Sequence, residues 1–121
     1  MPLFTSSAGL LAKKTFIEAA LALPLRPLAR YRSRTALNSA IFVGWGLKAN
    51  TARVRQLAAQ GGHPFWSLED GFIGYAGHPA RRGVPLSLIR DDLGIYYDAR
   101  QPSRLEQLIA EPCDGALLQR A

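Results

Sequence analysis

The sequence predicts an α/β domain built on a small parallel sheet with flanking helices, and three stretches carry that prediction. Ala40 to Trp45 is an unbroken apolar run with β-branched and aromatic residues, as expected of a strand covered on both faces. A helical stretch follows to about Gln60, with Val54, Leu57 and Ala58 spaced to face a sheet and Gly61-Gly62 as its stop. Pro64 to Leu68 is a second short apolar run. Strand, helix and strand within about 30 residues form the unit from which parallel sheets are built.

The remaining elements are read outward from that unit. Residues 1 to 10, with Pro2, Ser6, Ser7 and Gly9, read as loose. Residues 11 to 22 carry helix formers, with Leu11, Phe16, Ala19 and Ala20 on one face. Pro24 and Pro27 end that helix and lead into a basic connector, Leu25 to Asn38, which reads as a boundary. Gly44 and Gly46 allow a tight turn after the first apolar run, and Asn50 or Thr51 is the expected helix cap. Residues 72 to 84 are rich in glycine and read as a loop. Leu86 to Ile89 is a third strand candidate, with Ile95-Tyr96-Tyr97 as a short strand that could pair with it in a hairpin. Ser103 and Glu106 form a capping box for a last helix with Leu105, Leu108 and Ile109 as its apolar face, stopped by Pro112. The expected organisation is a helix and basic connector over residues 1–38, an incomplete α/β domain over 39–112 and a tail over 113–121.

The chain carries a formal net charge of +6, and 48% of its residues are hydrophobic. One domain of this size buries roughly two-thirds of its unfolded surface. The positive excess concentrates in Lys13, Lys14, Arg26, Arg30, Arg32 and Arg34. Such a surface attracts anions without choosing among them. The apolar run of residues 16 to 25 is too short to span a bilayer. A helix packed on the domain is the first reading of the surrounding segment, and an amphipathic membrane-surface helix the second. Cys113 has no second cysteine for an internal disulfide; with no secretory leader in view, a reducing compartment is expected. Arg81 and Arg82, near Tyr75 and Arg90, lack the aromatic interleaving of a nucleic-acid module, so no nucleic-acid partner is expected.

The chemistry-bearing candidates are two acidic doublets. Glu69-Asp70-Gly71 and Asp91-Asp92-Leu93-Gly94 each follow a short apolar run. Carboxylates at the carboxyl ends of sheet strands sit where α/β proteins bind ligands, and such a group can serve as general acid or base. The other reading of each doublet is an acidic turn. Gly44-Trp45-Gly46, with Lys48, forms a strand-to-helix turn whose amides could hold an anion. It has neither the third glycine of a dinucleotide fingerprint nor a P-loop lysine. No cofactor is expected, and no His or Cys cluster points to a metal. His63 reads as structural, while structural and catalytic readings stay open for His78.

Taken together and in order, Val43-Gly44-Trp45-Gly46-Leu47-Lys48, Leu68-Glu69-Asp70-Gly71-Phe72-Ile73, Pro85 to Ile89, Asp91 to Asp98 and Pro102 to Glu106 are familiar words. Over residues 40 to 110 the chain resembles the capsular polysaccharide biosynthesis and export family. Its members are bacterial cytoplasmic proteins similar to retaining β-Kdo glycosyltransferases, which use CMP-Kdo to build a Kdo linker between a phospholipid and the capsule. The resemblance implies a Rossmann-like half of a GT-B-type enzyme, a CMP-Kdo donor, a lipid-linked saccharide acceptor, capsule assembly proteins as partners, and work in the cytoplasm with peripheral contact at the inner membrane face. It places catalysis on Glu69, Asp70, Asp91 and Asp92, the first pair in acid/base work and either aspartate of the second in stabilisation or orientation. It places substrate binding on Gly44, Trp45, Gly46, Lys48 and Gly71, with Arg81 or Arg82 standing in for an arginine the family carries after Phe72-Ile73, where this chain has Gly74-Tyr75. The family's second half and its His-Pro nucleotide motif are not matched. The chain is therefore expected to be a fragment, a truncated product or half of a split protein, inactive alone. The alternative is a non-catalytic sugar-phosphate-binding or assembly module.

Overall fold

The predicted strand–helix–strand unit is present. In the computed structural model, which describes residues 1–32, 40–78 and 83–120, strand β3 spans Ile41–Trp45, helix α3 Ala49–Gly61 and strand β4 Phe65–Asp70. The two strands are parallel, with Phe42 opposite Phe65 and Trp45 opposite Leu68. Gly62 closes α3 in the left-handed conformation (φ 66°), as a C-terminal glycine should. Val54 and Ala58 are buried against the sheet, but Leu57 is 39% exposed. The start of α3 differs from expectation. Its N-cap is Lys48, without a side-chain bond, and the Thr51 hydroxyl instead donates to the Trp45 carbonyl at 3.0 Å. Thr51 thus ties the turn back to the strand rather than capping the helix.

The N-terminal residues are not loose. Leu3–Thr5 form β1, wholly buried and paired in parallel with both β3 and β2, which spans Leu25–Pro27. Between them run α1 (Ala8–Ala12) and α2 (Lys14–Leu21), with the break at Lys13. The basic connector therefore begins as an edge strand, where proline is tolerated. The five-stranded sheet has the order β2-β1-β3-β4-β7, with β7 at Leu88–Asp91, so it draws strands from both sides of residue 38. A three-residue strand has no period to detect; tertiary pairing alone reveals it.

Each face of the sheet carries its own apolar cluster. Leu3, Leu10, Ile17, Leu25, Ile41, Val43 and Leu68 pack under α1 and α2, while Phe4, Phe42, Val54 and Ala58 pack under α3. Tyr31 closes the second cluster with ring contacts to Phe4 and Phe42, and its hydroxyl lies 2.6 Å from His63 Nε2. His63 is thus part of the packing. Helices on both faces of mostly parallel strands make a doubly wound sheet, with strand order reversing between β1 and β3.

Two later expectations are corrected. Ile95-Tyr96-Tyr97 is not a strand and pairs with nothing in the sheet; β7 pairs antiparallel with β4 instead, Ser67 opposite Asp91 and Asp70 opposite Leu88. The glycine-rich loop contains Tyr75–Ala76 (β5), paired antiparallel with Val84–Pro85 (β6). Helix α4, Arg104–Ala110, has its capping box, yet Leu108 and Ile109 stay 58% and 74% exposed. Leu105 on the same face is half-buried, and with Leu108 it lines a small cleft shared with Phe72, Ile89 and Tyr96. Gly115–Leu118 add a short α5. Among the described residues, no helix is long and apolar enough to cross a membrane.

Candidate functional site at the carboxyl edge of the sheet

Glu69 and Asp70 are the last two residues of β4, so the pleat sends their side chains to opposite faces at one rim. Asp70 lies on the face of Leu68, above α1 and α2. Its Oδ1 accepts from Lys13 Nζ at 3.0 Å and from the Tyr75 hydroxyl at 3.1 Å. Lys13 also donates to the Tyr75 hydroxyl and stands 4.4 Å from the centre of a Trp45 ring. Burial alone lowers the pKa of the Lys13 ammonium, but its bonds to Tyr75 and Asp70, with the Asp70 charge, outweigh that and raise it. The α1–α2 break, β3, β4 and β5 therefore meet at a single cation.

Glu69 faces the α3 side. Its Oε2 accepts from the Tyr97 hydroxyl at 3.1 Å. Burial, followed by that bond and the Glu69 charge, raises the pKa of the Tyr97 phenol. Gly46 closes this corner. Its φ is 51°, and a Cβ there would overlap the Tyr97 hydroxyl and lie 2.6 Å from Glu69 Oε2. Only glycine meets both demands.

The turn from β3 into α3 is more occupied than an anion cradle requires. The Gly46 amide donates to the Leu68 carbonyl at 3.0 Å, and the Trp45 carbonyl takes the Thr51 hydroxyl. Gly44 is needed because Thr51 packs where its side chain would be. Lys48 remains exposed at the start of α3. Gly71 donates its amide to the Ser87 carbonyl at 3.0 Å, and a Cβ there would lie 2.6 Å from Ser87 Cβ. These glycines bring chain segments together. Arg81 and Arg82 lie outside the described residues.

The structure does not bring the second acidic doublet to this rim. Because β7 runs antiparallel, its carboxyl end sits beside Ser67, three residues back from Asp70 and so about 10 Å down the sheet. Asp91 is buried, 2% exposed. It accepts three backbone amides, those of Leu93 (2.9 Å), Gly94 (2.8 Å) and Arg104 (2.9 Å). Asp92 pairs bidentately with Arg104, Nε to Oδ1 at 2.8 Å and the terminal nitrogen to Oδ2 at 2.7 Å. The Arg104 bond holds the Asp92 carboxyl below the usual aspartate value. Among the described residues, no group of three or more His, Cys, Asp or Glu could hold a metal ion.

Lys13, Tyr75 and Tyr97 are the rim residues that sequence reasoning missed. Lys13 belonged to a charge cluster, Tyr75 to a loop and Tyr97 to an expected strand. No spacing in the sequence connects any of them to residues 69 and 70.

The fold and rim together define a doubly wound α/β domain with acids and a cation gathered at the carboxyl ends of its parallel strands. More particularly, the chain belongs to the capsule polysaccharide biosynthesis protein family, which matches residues 40–118. It is 51% identical over 72 residues to the capsule polysaccharide modification protein LipA of Neisseria meningitidis serogroup B, covering 55% of this chain and 10% of that protein. It is 43% identical over 70 residues to the lipopolysaccharide-processing protein LpsZ of Rhizobium meliloti, covering 58% of this chain and 16% of the relative. Among solved structures, it superposes on Thermosulfurimonas dismutans KpsC, beta Kdo 2,4 transferase, with a TM-score of 0.79 and 32% identity, over 99% of this chain and 36% of that one. The chain thus spans a tenth to a sixth of the length of these curated relatives and about a third of that structural neighbour. The family resemblance and the α/β fold expected from the sequence are both borne out.

Proposed function

We propose that this chain is the acceptor-side half of a GT-B-type retaining glycosyltransferase that moves Kdo from CMP-Kdo to a lipid-linked saccharide in capsule synthesis. The observation that supports this best is the likeness to a β-Kdo transferase over nearly the whole chain, with Glu69 and Asp70 at the ligand-facing rim. Retention requires a carboxylate at the anomeric carbon and a group that exchanges a proton with the acceptor hydroxyl. Glu69 and Asp70 supply that pair. Tyr97 orients Glu69, and Lys13 with Tyr75 orients Asp70. Asp91 and Asp92 act at one remove: Asp91 holds the turn at residues 93 and 94 that leads to Tyr97, and Asp92 anchors Arg104 at the head of α4. Gly44, Trp45, Gly46 and Gly71 shape the rim, and Lys48 stands beside it as a cation for an anionic substrate. In this reading the protein works in the cytoplasm, at the inner membrane face, among other capsule assembly proteins.

The test is an amide-shift titration of the labelled chain with a Kdo-terminated acceptor and, separately, with CMP-Kdo. Acceptor-dependent shifts centred on residues 45–48, 69–71 and 97, weakened in Glu69→Gln and Asp70→Asn, are expected. Shifts confined to other surfaces, or none with either compound, would end the sugar-transfer reading.

A further inference from the structure

Two open clefts flank the β2 edge of the sheet. One, of about 510 Å³, is lined by Leu11, Lys14, Leu25, Arg26, Pro27 and Arg30. The other, of about 520 Å³, has Thr5, Ser6, Leu11, Pro27, Asn50 and Arg53 in its lining. Leu11 and Pro27 belong to both, so the clefts are two lobes of one groove wrapped around the edge strand. Among the described residues four cations line it, Lys14, Arg26, Arg30 and Arg53, and no carboxylate does. The nearest acid in contact with them, Glu18, lies 3.7 Å from Lys14 Nζ but also accepts the Leu25 amide at 2.7 Å, so it offsets Lys14 only in part. Arg26, Arg30 and Arg53 are exposed. A groove of one charge sign with a low-dielectric floor concentrates anions.

The floor narrows the choice of anion. Leu11, Pro27 and Leu28 are aliphatic, and the nearby aromatic residue, Tyr31, is engaged with Phe4, Phe42 and His63. No ring is offered on which a base could stack, which disfavours single-stranded nucleic acid. Lipid phosphates need only cations on an open edge. We infer that this groove binds the phosphate headgroups of an anionic phospholipid surface and lays the β2 edge of the domain against it. The inference rests on the inner-membrane placement in the proposed function and names the face that meets the lipid; its site and readout are separate from the rim, so vesicle binding and acceptor binding can fail independently.

The test is co-sedimentation of the full chain with vesicles of phosphatidylcholine alone or with phosphatidylglycerol added, beside an amide-shift titration with inorganic phosphate. Each basic residue at an anionic surface contributes about a fivefold gain in partitioning. Arg26→Ser with Arg30→Ser should therefore weaken binding to the anionic vesicles about 25-fold. A charge-matched pair away from the groove, Arg90→Ser with Arg120→Ser, should change it several-fold less. Binding should fall steeply as salt rises past about 0.1 M. Equal losses in both variant pairs, equal binding to neutral vesicles, or phosphate-induced shifts without vesicle binding would each overturn the inference. If the Arg26/Arg30 variant fails to fold, the lipid-composition and phosphate arms on the unaltered chain still decide it.

Discussion

The two acidic doublets look alike in sequence and do opposite work in the fold. Glu69 and Asp70 end a parallel strand, remain half-buried at the carboxyl rim of the sheet and take their partners from side chains. Asp91 ends an antiparallel strand and Asp92 follows it; the first is buried on backbone amides and the second locked to Arg104. The difference is strand direction. An apolar run followed by two acids reads the same whichever way the strand runs, but direction decides at which end of the sheet the acids emerge. One doublet thereby emerges at the carboxyl rim of the parallel strands and the other is drawn into the architecture.

The sharpest test of that contrast is Asp91→Ala. It strands three amide donors at the turn and at the head of α4, and should lower unfolding free energy by about 3 kcal/mol. Glu69→Gln should cost less than about 1 kcal/mol in the same denaturation experiment, yet weaken the acceptor-dependent shifts. Equal stability losses at the two positions would contradict the division of roles.

Gly46→Ala comes next. The left-handed backbone and the overlap with Tyr97 and Glu69 should cost about 2 kcal/mol and displace the Tyr97 ring, visible in its side-chain resonances. A neutral outcome would mean that this corner of the rim is slack.

Lys13→Met should cost about 1 kcal/mol at neutral pH. Its pH dependence is more telling. The folded-state pKa of Lys13 lies above the ordinary 10.5, so its contribution is complete below that value and disappears as pH rises through the folded value. The alkaline loss of stability should be shallower in the methionine variant. The smallest effect belongs to Asp92, whose pKa lies below the ordinary 3.8. Its contribution is present above 3.8 and is lost as pH falls through the folded value, so Asp92→Asn should flatten the acid limb of the stability curve.

Legibility followed the range of the interactions. The β3–α3–β4 unit, the Gly62 stop and the Ser103–Glu106 box were readable because each is written in neighbouring residues. Strands β1 and β2 were not, since three residues carry no period and the Leu3–Leu25 and Leu3–Ile41 pairings are long-range. The apolar stripe of α4 was legible as a stripe, but not that Leu105 turns inward while Leu108 and Ile109 stay exposed, because periodicity says which side of a helix is apolar and nothing about what covers it.

Local chemistry in the chain was enough to specify an α/β sheet, its central parallel unit and the acids at the end of β4, because apolar runs, helical spacing and glycine stops act between residues a few positions apart. Folding in three dimensions decided that Lys13 and Tyr75 meet Asp70, that Tyr97 reaches Glu69, and that the second doublet turns away from the rim. Those outcomes depend on strand order and direction, which are chosen by the packing of the whole sheet.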